Sequence, residues 1–149
     1  MADSSACAGE SASIFKKSKK SKHAGDGGLG PVGEKLACKF LRKAGMKILA
    51  TNYRCPSGEI DIIALDKSTR KAGGCETIVF VEVKTRNNDA YTDPQSAVDS
   101  DKRRRIRKAA TYYLSTRDTS GFAVRYDIIA IVAKPGQEPK ITHIPAAFE

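Results

Sequence analysis

Apolar positions along this chain change period several times, and each change marks a predicted element. Val32, Leu36, Ala37, Phe40, Leu41 and Ala44 recur at helical spacing after Pro31, a residue suited to a first turn, and Gly45 supplies a C-terminal stop. Three strand-like runs follow: Ile48 to Tyr53, Glu59 to Leu65 and Thr77 to Thr85. A Pro56-Ser57-Gly58 turn and a polar loop through Gly73-Gly74 divide them, and connections this short predict a β meander with the first strand at its edge. A long second helix is expected to open near Pro94, to turn Ala97, Val98, Ile106, Ala109, Ala110, Tyr113 and Leu114 inward, and to end before Gly121. Phe122 to Ala133 reads as a buried strand, and Lys140 to Ile144 as a short last one beyond Pro135-Gly136. The order is α, β, β, β, α, β, β without internal repeat, which describes one α/β domain.

Two of these apolar runs are interrupted by acid. Asp61 stands within Ile60-Asp61-Ile62-Ile63, and Glu82 within Phe80-Val81-Glu82-Val83-Lys84. An ionised carboxylate in a hydrophobic strand loses its hydration, so a counter-charge, a metal or a ligand has to compensate it. Strand alternation puts Glu82 and Lys84 on one face, about 7 Å apart, with Val79, Val81 and Val83 on the other. Two carboxylates on neighbouring strands suit a hard divalent cation, because Mg²⁺ typically takes one or two carboxylates and completes its octahedron with water, backbone carbonyl and substrate phosphate. Asp61 and Glu82 are therefore the predicted metal ligands for Mg²⁺ or Mn²⁺. Lys84 is placed to hold or polarise an attacking water and to offset negative charge developing on a phosphate. A structural ion-pair cluster of the same three residues is the competing reading. Glu59 shares the face of Asp61, but a glutamate next to a turn more often fixes that turn. Arg125 and Asp127 also alternate onto one face, and a supporting salt bridge is expected of them.

Charge adds a partner to this picture. Lys and Arg outnumber Asp and Glu by 26 to 17, a formal charge of +9 over 149 residues, and a surface of that sign attracts polyanions, nucleic acid foremost. Residues 1 to 30, with Lys16-Lys17-Ser18-Lys19-Lys20-Ser21-Lys22 and a glycine-rich end, are expected to form a flexible basic tail; residues 31 to 149 would form the domain. Between Lys102 and Lys108 six of seven residues are basic. Only part of such a run can face one ligand on a helix, and Lys102 with Arg105, three apart, are the pair expected to meet a phosphate. The run lacks interleaved aromatics, which points to backbone contact rather than base reading.

Other chemistries lose their parts. His23 lies in the tail and His143 near the end of the chain, and neither a Gly-x-x-x-x-Gly-Lys loop nor a Gly-x-Ser-x-Gly elbow occurs. Cys7, Cys38, Cys55 and Cys75 contain no Cys-x-x-Cys pair, which argues against a zinc cluster. Neither an apolar leader nor a membrane-length apolar run is apparent, so a cytoplasmic protein with free thiols and no membrane partner is expected.

The pattern Asp61 followed by Glu82-x-Lys84 resembles the PD-(D/E)xK nuclease superfamily. More closely, Gly33-Glu34, Asn52-Tyr53-Arg54, Gly58-Glu59-Ile60-Asp61-Ile62-Ile63-Ala64, Val79 to Arg86 and Arg125-Tyr126-Asp127-Ile128-Ile129 look like the bacterial YraN-like family, which is similar to archaeal Holliday-junction resolvases. The resemblance covers roughly residues 31 to 145. It implies a restriction-endonuclease-like αβββαβ core with a mixed central sheet flanked by helices, and metal-dependent phosphodiester hydrolysis in nucleic acid, DNA and branched DNA included. It also implies that Glu34 is the helical acidic residue near the metal, that Arg86 is a phosphate contact just past the strand, and that two copies act together as a homodimer. The chain departs from the name-giving motif at Ile60, where that motif has proline. An inactive nucleic-acid-binding or assembly module on the same fold is the alternative.

Overall fold

The computed structural model describes residues 29–71, 74–87 and 98–149. Five strands form one sheet in the order β1 (Lys47–Cys55), β2 (Gly58–Asp66), β3 (Thr77–Arg86), β4 (Ala123–Val132), β5 (Lys140–Phe148). Only β3 and β4 are parallel; the other neighbours are antiparallel. A parallel pair needs a crossover, and α3 (Ser100–Ser115) lies in it, while α1 (Leu29–Lys43) precedes β1 and a short α2 (Ser68–Lys71) sits between β2 and β3. This is the mixed α/β sheet expected, with the meander in β1 to β3.

The sheet is apolar on both faces because a helix covers each. Ile106, Ala109, Ala110 and Tyr113 of α3 bury against Ile63, Leu65, Ile78, Phe80 and Ile128. Ala37, Cys38 and Leu41 of α1 bury against Ile62, Ala64, Val79, Val81, Ile129 and Ile131 on the opposite face. Burial on both faces is why β2 and β3 read as nearly continuous hydrophobic runs. Tyr113 stands edge-on to Tyr53 at 5.2 Å and to Phe80 at 5.8 Å, anchoring α3 across the first three strands.

Several expected boundaries move. The first helix starts at Leu29, before Pro31, and its contact line is narrower and smaller than the apolar stripe suggested. Val32 is 56% exposed and Ala44 is exposed, whereas Gly33 and Cys38 are buried. A methyl group at Gly33 would collide with the Thr85 hydroxyl, so the missing side chain is what lets α1 approach β3. The second helix starts at Ser100 rather than near Pro94, which lies outside the described residues together with Ala97. Asp99 caps it, its carboxylate accepting the Lys102 N–H at 2.7 Å, and Val98 is buried in the core ahead of the cap. The last strand continues past Pro145 to Phe148, because an edge strand tolerates a missing N–H and Phe148 stacks on Tyr126 at 5.2 Å. The basic stretch 1 to 28 lies outside the described residues. No helix among the described residues is long and apolar enough to cross a membrane.

A polar cluster is buried on the α1 face. Asp127 is fully buried and accepts from Arg125 at 2.8 and 3.0 Å, from His143 Nε2 at 2.8 Å and from the Ala146 N–H at 3.0 Å. Arg125 also reaches Asp66 at 3.0 Å, and Asp66 accepts from Ser68. The Arg125–Asp127 salt bridge is thus present, tying β2, β4 and β5 together. Burial by itself raises the Asp127 carboxyl, but the bonds from His143, Arg125 and Ala146 outweigh it and hold the group below its ordinary 3.8. Asp66 lies low as well, Ser68 and Arg125 overcoming its desolvation.

Both carboxyls bind protons more readily in the unfolded chain, so their contribution is complete above about pH 4 and is lost as pH falls below it. Asp127→Asn leaves Arg125 and His143 short of a buried partner and should cost about 3 kcal/mol at pH 7. Urea unfolding at pH 7 and pH 3 checks this: the deficit relative to the parent should shrink at pH 3, and an equal deficit at both would refute the assignment.

Candidate functional site

The β2–β3 ladder runs from Asp66↔Thr77 to Ile62↔Val81 and stops there. Beyond that pair β3 stays bonded to β4 out to Arg86, while β2 stays bonded to β1. The two central strands therefore fork. Asp61 sits in the fork, and its Oδ2 accepts the Val83 N–H at 2.8 Å, a side chain standing where a ladder partner would otherwise be. On β1, Asn52 falls between the Thr51–Ile62 and Tyr53–Ile60 pairs, opposite Asp61, and adopts a left-handed φ of 51°. The local twist turns Ile60 toward the α3 core and Ile62 toward the α1 core.

Glu82 is the first residue of β3 past the fork and its side chain is only 3% exposed. Its Oε1 lies 3.0 Å from Lys84 Nζ, so the face shared by Glu82 and Lys84 is the one that alternation predicts. Its Oε2 lies 3.3 Å from Lys102 Nζ, which also stands 3.8 Å from Glu59. That contact is an ion pair only: Oε2 is buried and receives no hydrogen bond. Around Asp61, burial first and the Glu82 carboxylate second push the carboxyl up to about 7, against the Val83 N–H and Lys102, while Glu34 adds to the rise. Two carboxylates facing one small volume are thus held at high electrostatic cost.

The other predicted residues fall into place unequally. Glu34, at the N-terminal end of α1 beside Gly33, is close enough to act on Asp61 through space, but its Oε2 accepts Asn52 Nδ2 at 2.6 Å. Lys102 belongs to the acid cluster itself. Arg105 is exposed on α3, and its backbone carbonyl packs against Gly58 of the β1–β2 turn. Arg86 is half-buried, two residues beyond Lys84 on the same strand face. Glu59 is 54% exposed and pairs with Arg54 at 3.6 Å as well as with Lys102. Asn52 and Gly33 carry weight that their identity alone did not reveal. Asparagine within a strand-like run is the available signal, since it tolerates the left-handed region better than most residues.

Among the described residues no three His, Cys, Asp or Glu side chains converge at metal-holding distance. Mg²⁺ does not require three; two carboxylates with water and phosphate suffice. Asp61 and Glu82 fit that donor set, and Glu82 Oε2 is a buried oxygen with no hydrogen bond and only the Lys102 ammonium at 3.3 Å.

Residues 33–131 match the model of the uncharacterised protein family UPF0102. The chain belongs to this family. UPF0102 proteins from Geobacter metallireducens and Nocardia farcinica are 47% identical over 121 residues and 42% identical over 120, covering 81% and 80% of this chain and 92% and 88% of their own lengths. One from Syntrophus aciditrophicus is 45% identical over 120 residues, 80% of this chain and 87% of its own. This is the YraN-like family that the sequence blocks resemble. On this UPF0102 chain, Gly33-Glu34, Asn52-Tyr53-Arg54, Gly58 to Ala64 and Val79 to Arg86 all border or enter the fork.

The raised Asp61 carboxyl has a stability consequence. Between pH 4 and about 7 the folded state keeps a proton that the unfolded chain has lost, so this group's contribution falls as pH rises through that window and is lowest above it. In chelator, Asp61→Asn keeps an acceptor for Val83 and removes the repulsion. It should be more stable than the parent by about 2 kcal/mol at pH 8 and no more stable at pH 4. Thermal melts at the two pH values read this directly, and a variant less stable at pH 8 would contradict it.

Proposed function

We propose that this UPF0102 protein is a metal-dependent nuclease that hydrolyses phosphodiester bonds. The observation that carries the reading is the pair Asp61 and Glu82 at the mouth of the fork, Glu82 buried and Asp61 half-buried, with Lys84 on Glu82 at 3.0 Å. In this reading Asp61 and Glu82 hold Mg²⁺ or Mn²⁺. The bound ion draws charge from a phosphate and makes water more acidic.

The chain's own groups supply the rest. The Val83 N–H fixes the Asp61 carboxylate, so this acid keeps its orientation when a ligand arrives. Glu82 anchors the Lys84 ammonium, which orients water toward the phosphorus and balances the negative charge that builds on the phosphate. Glu34, held by Asn52, adds negative potential from the α1 side and does not itself ligate. Arg86 and Arg105 are assigned to phosphates flanking the bond that breaks. The likeness to junction resolvases favours DNA, branched forms included, and two copies acting on two strands.

A second reading has its own support. Lys84 and Lys102 already neutralise Glu82, as a retired site kept for binding would require. Incubation with branched, flapped, nicked and single-stranded DNA and with RNA, in Mg²⁺ or Mn²⁺, separates the two. Cleavage should fall at least about 100-fold in Asp61→Ala and in Lys84→Ala. Unchanged cleavage in both variants would remove the assigned site, and metal-indifferent binding without cleavage would establish the second reading.

A further inference from the structure

Lys102 is not an ordinary surface cation. Its backbone is held in the first turn of α3 by the Asp99 cap, and its side chain, 24% exposed, runs back into the fork. There it is the second ammonium on Glu82, beside Lys84, and it also acts on Asp61 through space. Glu82 thus has two ammonium partners before any divalent ion enters. A metal held by Glu82 would have to share the Oε2 that Lys102 Nζ now meets at 3.3 Å. Two like charges sharing one oxygen in a desolvated site repel strongly. Lys84 differs because it sits on the other oxygen, Oε1, and leaves Oε2 to others.

Lys102 also has somewhere to go. Glu59 Oε1, on the exposed side of the fork, lies 3.8 Å from the same Nζ, and the four-carbon stem needs only a rotamer change to exchange partners. The geometry points to Lys102 as an internal counter-cation that occupies Glu82 in the metal-free protein and yields it to the metal by moving to Glu59 or to a nucleic-acid phosphate. This inference rests on the metal site proposed above. It adds a regulatory property to that site: because a phosphate draws Lys102 away from Glu82, nucleic acid and metal each strengthen the binding of the other, by the reciprocity that linkage demands.

The test is a calorimetric titration of the intact protein with Mn²⁺ alone, without nucleic acid, for the parent, Lys102→Met, Glu59→Gln and the double variant, with Asp61→Asn as the site control. Lys102→Met keeps the stem and removes the charge, and it should bind Mn²⁺ at least about tenfold more tightly than the parent. Glu59→Gln, an exposed change that leaves the fold intact, removes the alternative seat and should weaken Mn²⁺ binding; in the Lys102→Met background it should have no effect. Equal or weaker binding by Lys102→Met, with the parent still binding at Asp61, would overturn the inference and leave the metal site standing. No Mn²⁺ binding in any variant would overturn both. Should Lys102→Met fail to fold, the sign of the Glu59→Gln change decides alone, and a null or tighter result there defeats the inference.

Discussion

The parting of β2 from β3 past Ile62 and Val81 is the constraint on which the rest of the molecule depends. A sheet cannot open between two central strands without stranding backbone donors, and here the Asp61 carboxylate takes the Val83 N–H and seals the gap. The same bond fixes the position of Asp61. Glu82 begins the free stretch of β3, α3 brings Lys102 to one side, and α1 brings Glu34 to the other, its approach set by Gly33 against Thr85. Architecture and site are therefore one feature seen at two scales.

The protein uses an aspartate in place of a ladder bond twice, with opposite electrostatic results. Asp127 accepts the Ala146 N–H on the α1 face and is surrounded by donors, Arg125 and His143, so its charge is welcome. Asp61 accepts the Val83 N–H at the fork and faces Glu82, so its charge is resisted. The backbone role is the same although Asp127 is fully buried and Asp61 half-buried; the sign of the neighbours decides which charge is favoured and which is resisted.

Much of this was legible in residue order. Continuous apolar runs announced β2, β3 and β4, and the acids within β2 and β3 fall at the fork, where a buried carboxylate has to be compensated. The helix boundary near Pro94 was misjudged since proline is an equally good turn residue, and the capping aspartate lies farther on. On α1, Leu36, Ala37, Phe40 and Leu41 pack as the apolar stripe requires, whereas Val32 and Ala44 face away, and the close approach at Gly33 went unread because hydrophobic periodicity does not register a glycine. Lys102 was seen as a phosphate contact on a basic helix. Its partners Glu59 and Glu82 lie far away in sequence, on two strands, and only the packing of α3 brings the three together.

Both margins of the sheet are irregular. The outer strand β1 shifts register between Ile48 and Ala50 and turns left-handed at Asn52, while β5 contains Pro145 and a left-handed Ala146. Neither offers an even row of unpaired amides and carbonyls to a visiting strand. Continuation of the sheet from one copy into another is thereby discouraged at each end.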